Sequence, residues 1–180
     1  MGEDKASLLL ENKTLIEWAI SNLVDAEITN ITISVRDQQQ GEWIKHLFGK
    51  KMKTIVDSIE CDGIWDVLKF ALPKRGNVQI LPVDSPWFDS NAIQLMMKKF
   101  KSNSTSIGIV PWSKNGPEPL LMQIDSARFF NLISTIDAMP LRELVKEKRF
   151  QRIDSKEIEE KIGHGNALRN LNHPEDLIFE

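Results

Sequence analysis

In residues 14–36, TLIEWAISNLVDAEITNITISVR, a helix signal runs straight into a strand signal. Thr14 and Glu17 have the spacing at which a hydroxyl and a carboxylate each satisfy a backbone N–H left free at a helix start. Leu15, Trp18, Ala19 and Leu23 then fall on one helical face, so a helix begins near Thr14. Directly after it Ile31, Ile33 and Val35 alternate, which is the period of a strand.

The same alternation extends outward. GEWIKHLF (41–48) has helical spacing and KTIVD (53–57) is a short apolar strand. A helix at GIWDVLKFAL (63–72), a strand at NVQILPVD (77–84), a helix from Ser90 to Phe100 and a strand at SIGIVP (106–111) follow. Helices and strands in strict turn predict parallel strands joined by right-handed crossovers, hence a three-layer α/β/α sandwich with a mostly parallel, Rossmann-like sheet. Beyond Pro111 the pattern loosens. PLLMQID (119–125) is expected to form a strand, antiparallel at an edge. SARFFNLIST (126–135), PLRELVKEK (140–148) and SKEIEEKI (155–162) read as helices, with short strands at FQRI (150–153) and around ALRNL (167–171). SKNGPEP (113–119) is a turn-rich loop rather than a boundary, so residues 1–180 read as a single domain.

Composition narrows the function. At 180 residues, with 41% hydrophobic and 27% charged content, the chain can bury one sizeable core. A formal net charge of −3 argues against capture of nucleic acid by charge alone. The single Cys61 excludes an intrachain disulfide and a cysteine-rich zinc site, and points to a reducing compartment, the cytoplasm. No apolar run approaches the ~18 residues of a membrane span, and the first residues are charged where a signal peptide needs an apolar core.

Asp84 follows the apolar run Val78–Leu81 and is expected at the C-terminal end of that strand, where open α/β sheets bind ligands. A carboxylate there can hold Mg²⁺, although Asp-Ser-Pro also favours a tight turn. In MGEDK at the start, Gly2 and Lys5 look like the tail of a phosphate-binding loop, and Lys5 could offset triphosphate charge; a solvated terminus is the plainer alternative. Asn170 and Asn172 are two apart, which on an extended segment puts both amides on one side. His46 reads as a surface residue and His164 as a loop residue without a metal-spaced partner. Trp65, Leu68 and Phe70 read as core or sheet-covering residues, and Lys146–Arg149 (KEKR) as a solvated helix end.

One element is missing from the pattern. The first strand of such a sheet commonly lies centrally and delivers the phosphate loop to a helix, yet here the first long element is already the helix.

Together these stretches resemble the MobA-like nucleotidyltransferases, the family of molybdenum cofactor guanylyltransferases, of the nucleotide-diphospho-sugar transferase fold. Met1-Gly2-Glu3-Asp4-Lys5 resembles the family's R-M-G-x-D-K, PVDSPWF (82–88) its C-D-x-P segment with Val83 in place of the usual small residue, PEPLLMQID its E-P-L strand, and NLNHPEDL (170–177) its N-x-N-T-P-E-D-L ending with His173 in place of Thr. The family's first strand and L-x-G-G-x-S-x-R loop would lie before Met1, so the domain is expected to be N-terminally incomplete and the chain a poor catalyst without that loop. Where the family has G-P-L-x-G, Gly63 keeps the first glycine, while Ile64 and Asp66 depart from the pattern. The resemblance implies transfer of GMP from GTP to the phosphate of molybdenum-molybdopterin, with release of pyrophosphate. It implies Mg²⁺ on Asp84, Lys5 and Asp84 as catalytic residues, Gly2, Lys5, Asp57 and Gly63 at the nucleotide, and Asn170 and Asn172 at the acceptor. Molybdoenzymes or other cofactor-biosynthesis proteins are further partners that it allows. Cytidylyl transfer to molybdopterin, guanylyl transfer to a cobamide precursor, and a catalytically silent nucleotide-binding or cofactor-binding role stay open as alternatives.

Overall fold

A computed structural model describes residues 4–49, 52–57, 63–103, 105–136 and 139–171. After a 3₁₀ turn at Lys5–Ser7 come the hairpin strands β1 (Leu9–Leu10) and β2 (Lys13–Thr14), then α1 (Leu15–Asp25), β3 (Thr32–Val35), α2 (Gln38–Phe48) and β4 (Lys53–Val56). The middle of the chain forms α3 (Ile64–Ala71), β5 (Asn77–Gln79), α4 (Ser90–Lys101), β6 (Gly108–Ser113) and β7 (Gly116–Pro117). A 3₁₀ turn at Pro119–Leu121 leads to β8 (Gln123–Asp125), α5 (Ser126–Ile133), α6 (Leu141–Leu144), β9 (Phe150–Asp154) and α7 (Ser155–Ile162).

Helix α1 starts where its sequence says. The Thr14 hydroxyl accepts from the Glu17 N–H at 3.3 Å, and the Thr14 N–H donates to the Glu17 carboxylate at 2.8 Å. Its buried surface is wider than the expected stripe, because Ile16 and Ile20 are also buried. The cause is that α1 meets three separate apolar clusters: Leu15 and Trp18 face one, Ile16 and Ile20 a second, and Leu23 a third.

The strands form three layers with the helices. Strands β5 and β6 both run antiparallel to β8, and so share a direction, while β9 lies parallel to β6 on its other side. Along β6 the side chains alternate: Val110 packs with α3, α5 and α6 on one face, and Ile109 packs with α4 and α7 on the other. Strands β3 and β4 form a second, parallel pair covered by α2, in register Thr32↔Lys53 to Val35↔Val56. The expected α/β/α sandwich is therefore present.

Three local expectations change. PLLMQID is antiparallel as expected, yet its strand β8 lies between β5 and β6 rather than at an edge. Interior placement buries Gln123 and Ile124 completely or nearly so, which an edge would not. ALRNL is not a strand, because Ala167 and Leu171 turn into different clusters and the segment has no ladder partner among the described residues. In PLRELVKEK only Leu141–Leu144 is helical, so KEKR lies in the turn that feeds β9, with Lys146 and Arg149 paired to Glu143 and Glu147.

Among the described residues no ladder joins β3 to β5, and none forms the central strand expected from the fold pattern. Residues 4 and 5 instead stand beside the C-terminal ends of both blocks. Asp4 accepts from Gln40, in the first turn after β3, at 2.6 Å, and Lys5 meets Asp84, which follows β5, at 2.8 Å.

Two substitutions test these local arguments. A Cβ on Gly108 would come within 2.7 Å of the Gln123 carbonyl oxygen and 2.8 Å of the Ile124 side chain, across the β6–β8 ladder. Gly108→Ala should therefore lower unfolding stability by roughly 1–3 kcal/mol in a denaturant titration, the scale of an overpacked core. The second concerns Glu17, whose carboxyl is held below its ordinary range first by the Thr14 hydroxyl and then by the Thr14 N–H. A depressed folded-state value stabilises the fold above the unfolded value and loses that contribution as pH falls through the folded one. The melting temperature of the native chain should thus fall more steeply than that of Glu17→Gln below about pH 4.3, the ordinary glutamate value.

Candidate active site

Strand β5 continues through Ile80, whose N–H still donates to the Met122 carbonyl at 3.0 Å, and then reaches Pro82. Proline has no N–H to give, so the ladder ends there and the chain turns, with the Ser85 N–H on the Pro82 carbonyl and the Phe88 N–H on the Ser85 carbonyl. The turn is pinned from below. Phe88 is fully buried, Asp89 caps α4 by accepting from the Ala92 N–H at 2.9 Å, and the buried Asn22 of α1 donates to the Pro86 carbonyl at 2.8 Å. Asp84 is thereby held at the lip of the sheet between a strand and an anchored turn.

Lys5 reaches it from a different direction. Asp4 accepts from the Ala6 N–H at 3.0 Å and starts the 3₁₀ turn, while Ala6 is buried against Ile16, Ile20 and Val35. The Lys5 ammonium then donates to Asp84 Oδ2 at 2.8 Å, with the two side chains 30% and 20% exposed. Both charges remain open to solvent, and each is the other's counter-ion.

The end of the described chain closes on the same loop. Ser85 donates its hydroxyl to Asn170 Oδ1 at 2.8 Å, and the Leu171 N–H donates to the Asp84 carbonyl at 2.8 Å. Lys5, Asp84 and Asn170 are therefore brought together from positions far apart in sequence. Gly2 and Asn172 lie outside the described residues. Asp57 sits at the end of β4, where it accepts from the Ser34 hydroxyl and its N–H bonds the Val35 carbonyl, so its contacts go to β3 and not to the Lys5–Asp84 pair. Gly63 precedes α3 at φ 110°, a conformation that favours glycine, and Asp66 lies in the helix's first turn, 3.8 Å from Lys69.

The remaining readings divide. His46 is exposed on α2, and His164 Nδ1 accepts from the Asn166 N–H in a loop. Trp65 stacks on Phe129 and donates to the Met139 carbonyl at 2.6 Å, and Leu68 is buried. Phe70, expected in the core, is 57% exposed: two residues beyond Leu68 on a helix it points to the opposite side. Sequence reasoning missed Asn22 and Ser85. A polar Asn22 set next to the apolar Leu23, on a helix otherwise buried on several sides, was the available signal for the first.

Among the described residues no group of three acidic, histidine or cysteine side chains gathers as an all-protein metal cage. The chemistry of the site still suits Mg²⁺, which is commonly held by one or two carboxylates together with substrate phosphates and water. Asp84 is one such carboxylate, partly exposed and at the strand ends.

Residues 1–153 match the family model of the MobA-like NTP transferase domain. The chain belongs to this family. It is 26% identical, over 98% of its length and 90% of the relative's, to a probable molybdenum cofactor guanylyltransferase of Methanothermobacter thermautotrophicus. Its fold is similar to that of molybdopterin-guanine dinucleotide biosynthesis protein A from Archaeoglobus fulgidus, with TM-score 0.74 and 21% identity over 98% of this chain and 88% of the other. Rv0371c from Mycobacterium tuberculosis shares the fold at TM-score 0.65 and 11% identity, over 86% of this chain and 80% of the other; that protein has also been solved as a manganese complex. At these identities the solved structures speak for the fold alone.

The anchoring of the Asp84 loop by Asn22 has a measurable consequence. Asn22→Ala removes the donor to a buried carbonyl, so it should cost about 1–3 kcal/mol of unfolding stability. Hydrogen exchange should quicken at Ser85 and Phe88 beyond the global change, whereas a purely global loss would show no local excess.

Proposed function

We propose that the protein transfers GMP from GTP to the phosphate of molybdenum-molybdopterin and releases pyrophosphate, forming the guanine dinucleotide form of the cofactor in the cytoplasm. The observation that carries this reading is the Lys5–Asp84 pair at the C-terminal lip of the sheet, with Asn170 docked on the same loop. The family match and the name of the M. thermautotrophicus relative support it.

The roles follow from the charges. Asp84 would hold Mg²⁺, which would supply positive charge to the α-phosphate oxygens. Lys5 binds the phosphates and offsets the charge that grows on the departing pyrophosphate. An oxygen of the acceptor phosphate attacks the α-phosphorus in line, a new P–O bond forms, and the bond to the β-phosphate oxygen breaks. No base is required, because the attacking phosphate is already anionic. Asn170, together with Asn172, orients that acceptor by amide hydrogen bonds, and Gly2, Asp57 and Gly63 serve the nucleotide.

Pyrophosphate release with GTP, Mg²⁺ and the pterin acceptor tests the reading. Asp84→Asn should slow transfer on the order of 10²–10³-fold, the scale of losing one preorganised electrostatic group, with an unchanged melting temperature. Equal transfer by both proteins would overturn the assignment of Asp84. A preference for CTP or ATP over GTP would reassign the nucleotide.

A further inference from the structure

Gln40 is the third residue of α2, and its N–H donates at 2.8 Å to Asp37, which caps the helix. At that place a glutamine side chain commonly reaches back to a backbone N–H at the helix start. Here it accepts the Arg36 N–H on Oε1 at 2.7 Å. That contact decides which way the amide faces, because only its oxygen can receive an N–H. The NH₂ group is thereby aimed at Asp4, whose Oδ2 accepts from it at 2.6 Å.

Asp4 starts the turn that carries Lys5. Its other oxygen, Oδ1, takes the Ala6 N–H at 3.0 Å, so the carboxylate serves its own turn on one side and α2 on the other. The 3₁₀ turn Lys5–Ser7 is three residues long, and a helix that short does not hold itself together in water. Both residues flanking Lys5 are anchored from outside, in different ways. Ala6 is buried among Ile16, Ile20 and Val35, which fixes the depth of the turn. A small side chain in an apolar pocket still leaves the turn free to pivot, and the bond from Gln40 to Asp4 removes that freedom. The Arg36 guanidinium is turned to Asp37 at 2.9 Å, so the tie to Asp4 is made by a neutral amide that sets no further cation beside Lys5.

We infer that Gln40 is a positioning residue: by fixing Asp4 to the start of α2 it aims the Lys5 ammonium at Asp84 and at the phosphates that come to rest there. The β3–α2 unit shares no ladder with β5 among the described residues, and through Gln40, Asp4 and Lys5 it gains a hold on the charge at the end of β5. The effect on phosphates rests on the transferase reading above; the placement of Lys5 does not.

Exchanging donor and acceptor tests the assignment. Gln40→Glu keeps an oxygen for the Arg36 N–H but sets a carboxylate against Asp4. Adding Asp4→Asn supplies an amide that donates to this carboxylate, while its oxygen still receives the Ala6 N–H. Lys5 is followed in the full chain, without ligand, by its rate of acylation with an amine-reactive acetyl ester, read by mass spectrometry. Gln40→Glu should speed acylation of Lys5 roughly threefold, within the worth of a partly exposed ion pair, and leave Lys45 of the same helix unchanged. The double variant Asp4→Asn/Gln40→Glu should return Lys5 to the native rate. In pyrophosphate release with Mg²⁺–GTP and the pterin acceptor, kcat should fall roughly tenfold in Gln40→Glu, the scale of one hydrogen bond to a charged group, and recover in the double variant. A purely structural role at α2 would leave the Lys5 rate untouched and would not be repaired by a change at Asp4. A native Lys5 rate in Gln40→Glu, or a double variant acylated as fast as the single one, would overturn the proposal. The expected acylation pattern with no GTP transfer by any of the chains, the native one included, would sink the guanylyl reading and uphold the positioning of Lys5.

Discussion

The contact between Lys5 and Asp84 is what the surrounding structure is arranged to hold. A partly exposed ion pair contributes only about 0–1 kcal/mol, so it does not stabilise the fold; the fold positions it. Helix α1 is the common support. Its Ile16 and Ile20 pack on Ala6, next to Lys5, while its Asn22 grips the Pro86 carbonyl, two residues from Asp84. One rigid element thus fixes the spacing of two charges that arrive from separate parts of the chain. Capping by Thr14 and Glu17 fixes where that element starts, so a local signal of four residues sets the geometry of a long-range site.

That chain of dependence explains which features were legible. The alternation of helices and strands was readable because each strand buries one or both faces, and burial writes itself into apolar periodicity. Asp84 was readable as a strand-end carboxylate for the same reason: Val78 to Leu81 announces the strand, and Pro82 its end. Lys5 was only half readable from pattern: MGEDK looked like the tail of a phosphate-binding loop, but a lysine near a terminus reads equally as solvated until a partner appears, and the family resemblance tipped the balance. The interior place of β8 was hidden because an apolar run has the same composition at an edge as between two strands, and pairing order is a non-local property. Phe70 failed on helical phase, being placed by hydrophobicity alone when its angular offset from Leu68 put it outside. The docking of Asn170 and Leu171 on the Asp84 loop spans more than eighty residues, and no local pattern encodes such a contact.

The loop after β5 serves two directions at once. Toward the start of the chain, Asp84 meets Lys5; two and three residues on, Pro86 and Trp87 turn to the β1–β2 hairpin and Arg169. One anchored turn thereby meets two separate parts of the chain. The rigidity comes from below, from Phe88 at full burial and from the Asp89 cap, rather than from the charged groups.

The ion pair also constrains what can bind. The Lys5 ammonium has three N–H donors and can hold a phosphate while it keeps Asp84, but a phosphate that arrives alone sets a second anion beside a carboxylate that is only 20% exposed. A phosphate alone therefore makes one cation serve two anions. A phosphate accompanied by a divalent cation avoids this conflict, since the lysine and the carboxylate then each keep an opposite charge. The pair thus favours a ligand that presents both signs together, which is how nucleoside triphosphates occur with Mg²⁺, and it disfavours free phosphate at the same position.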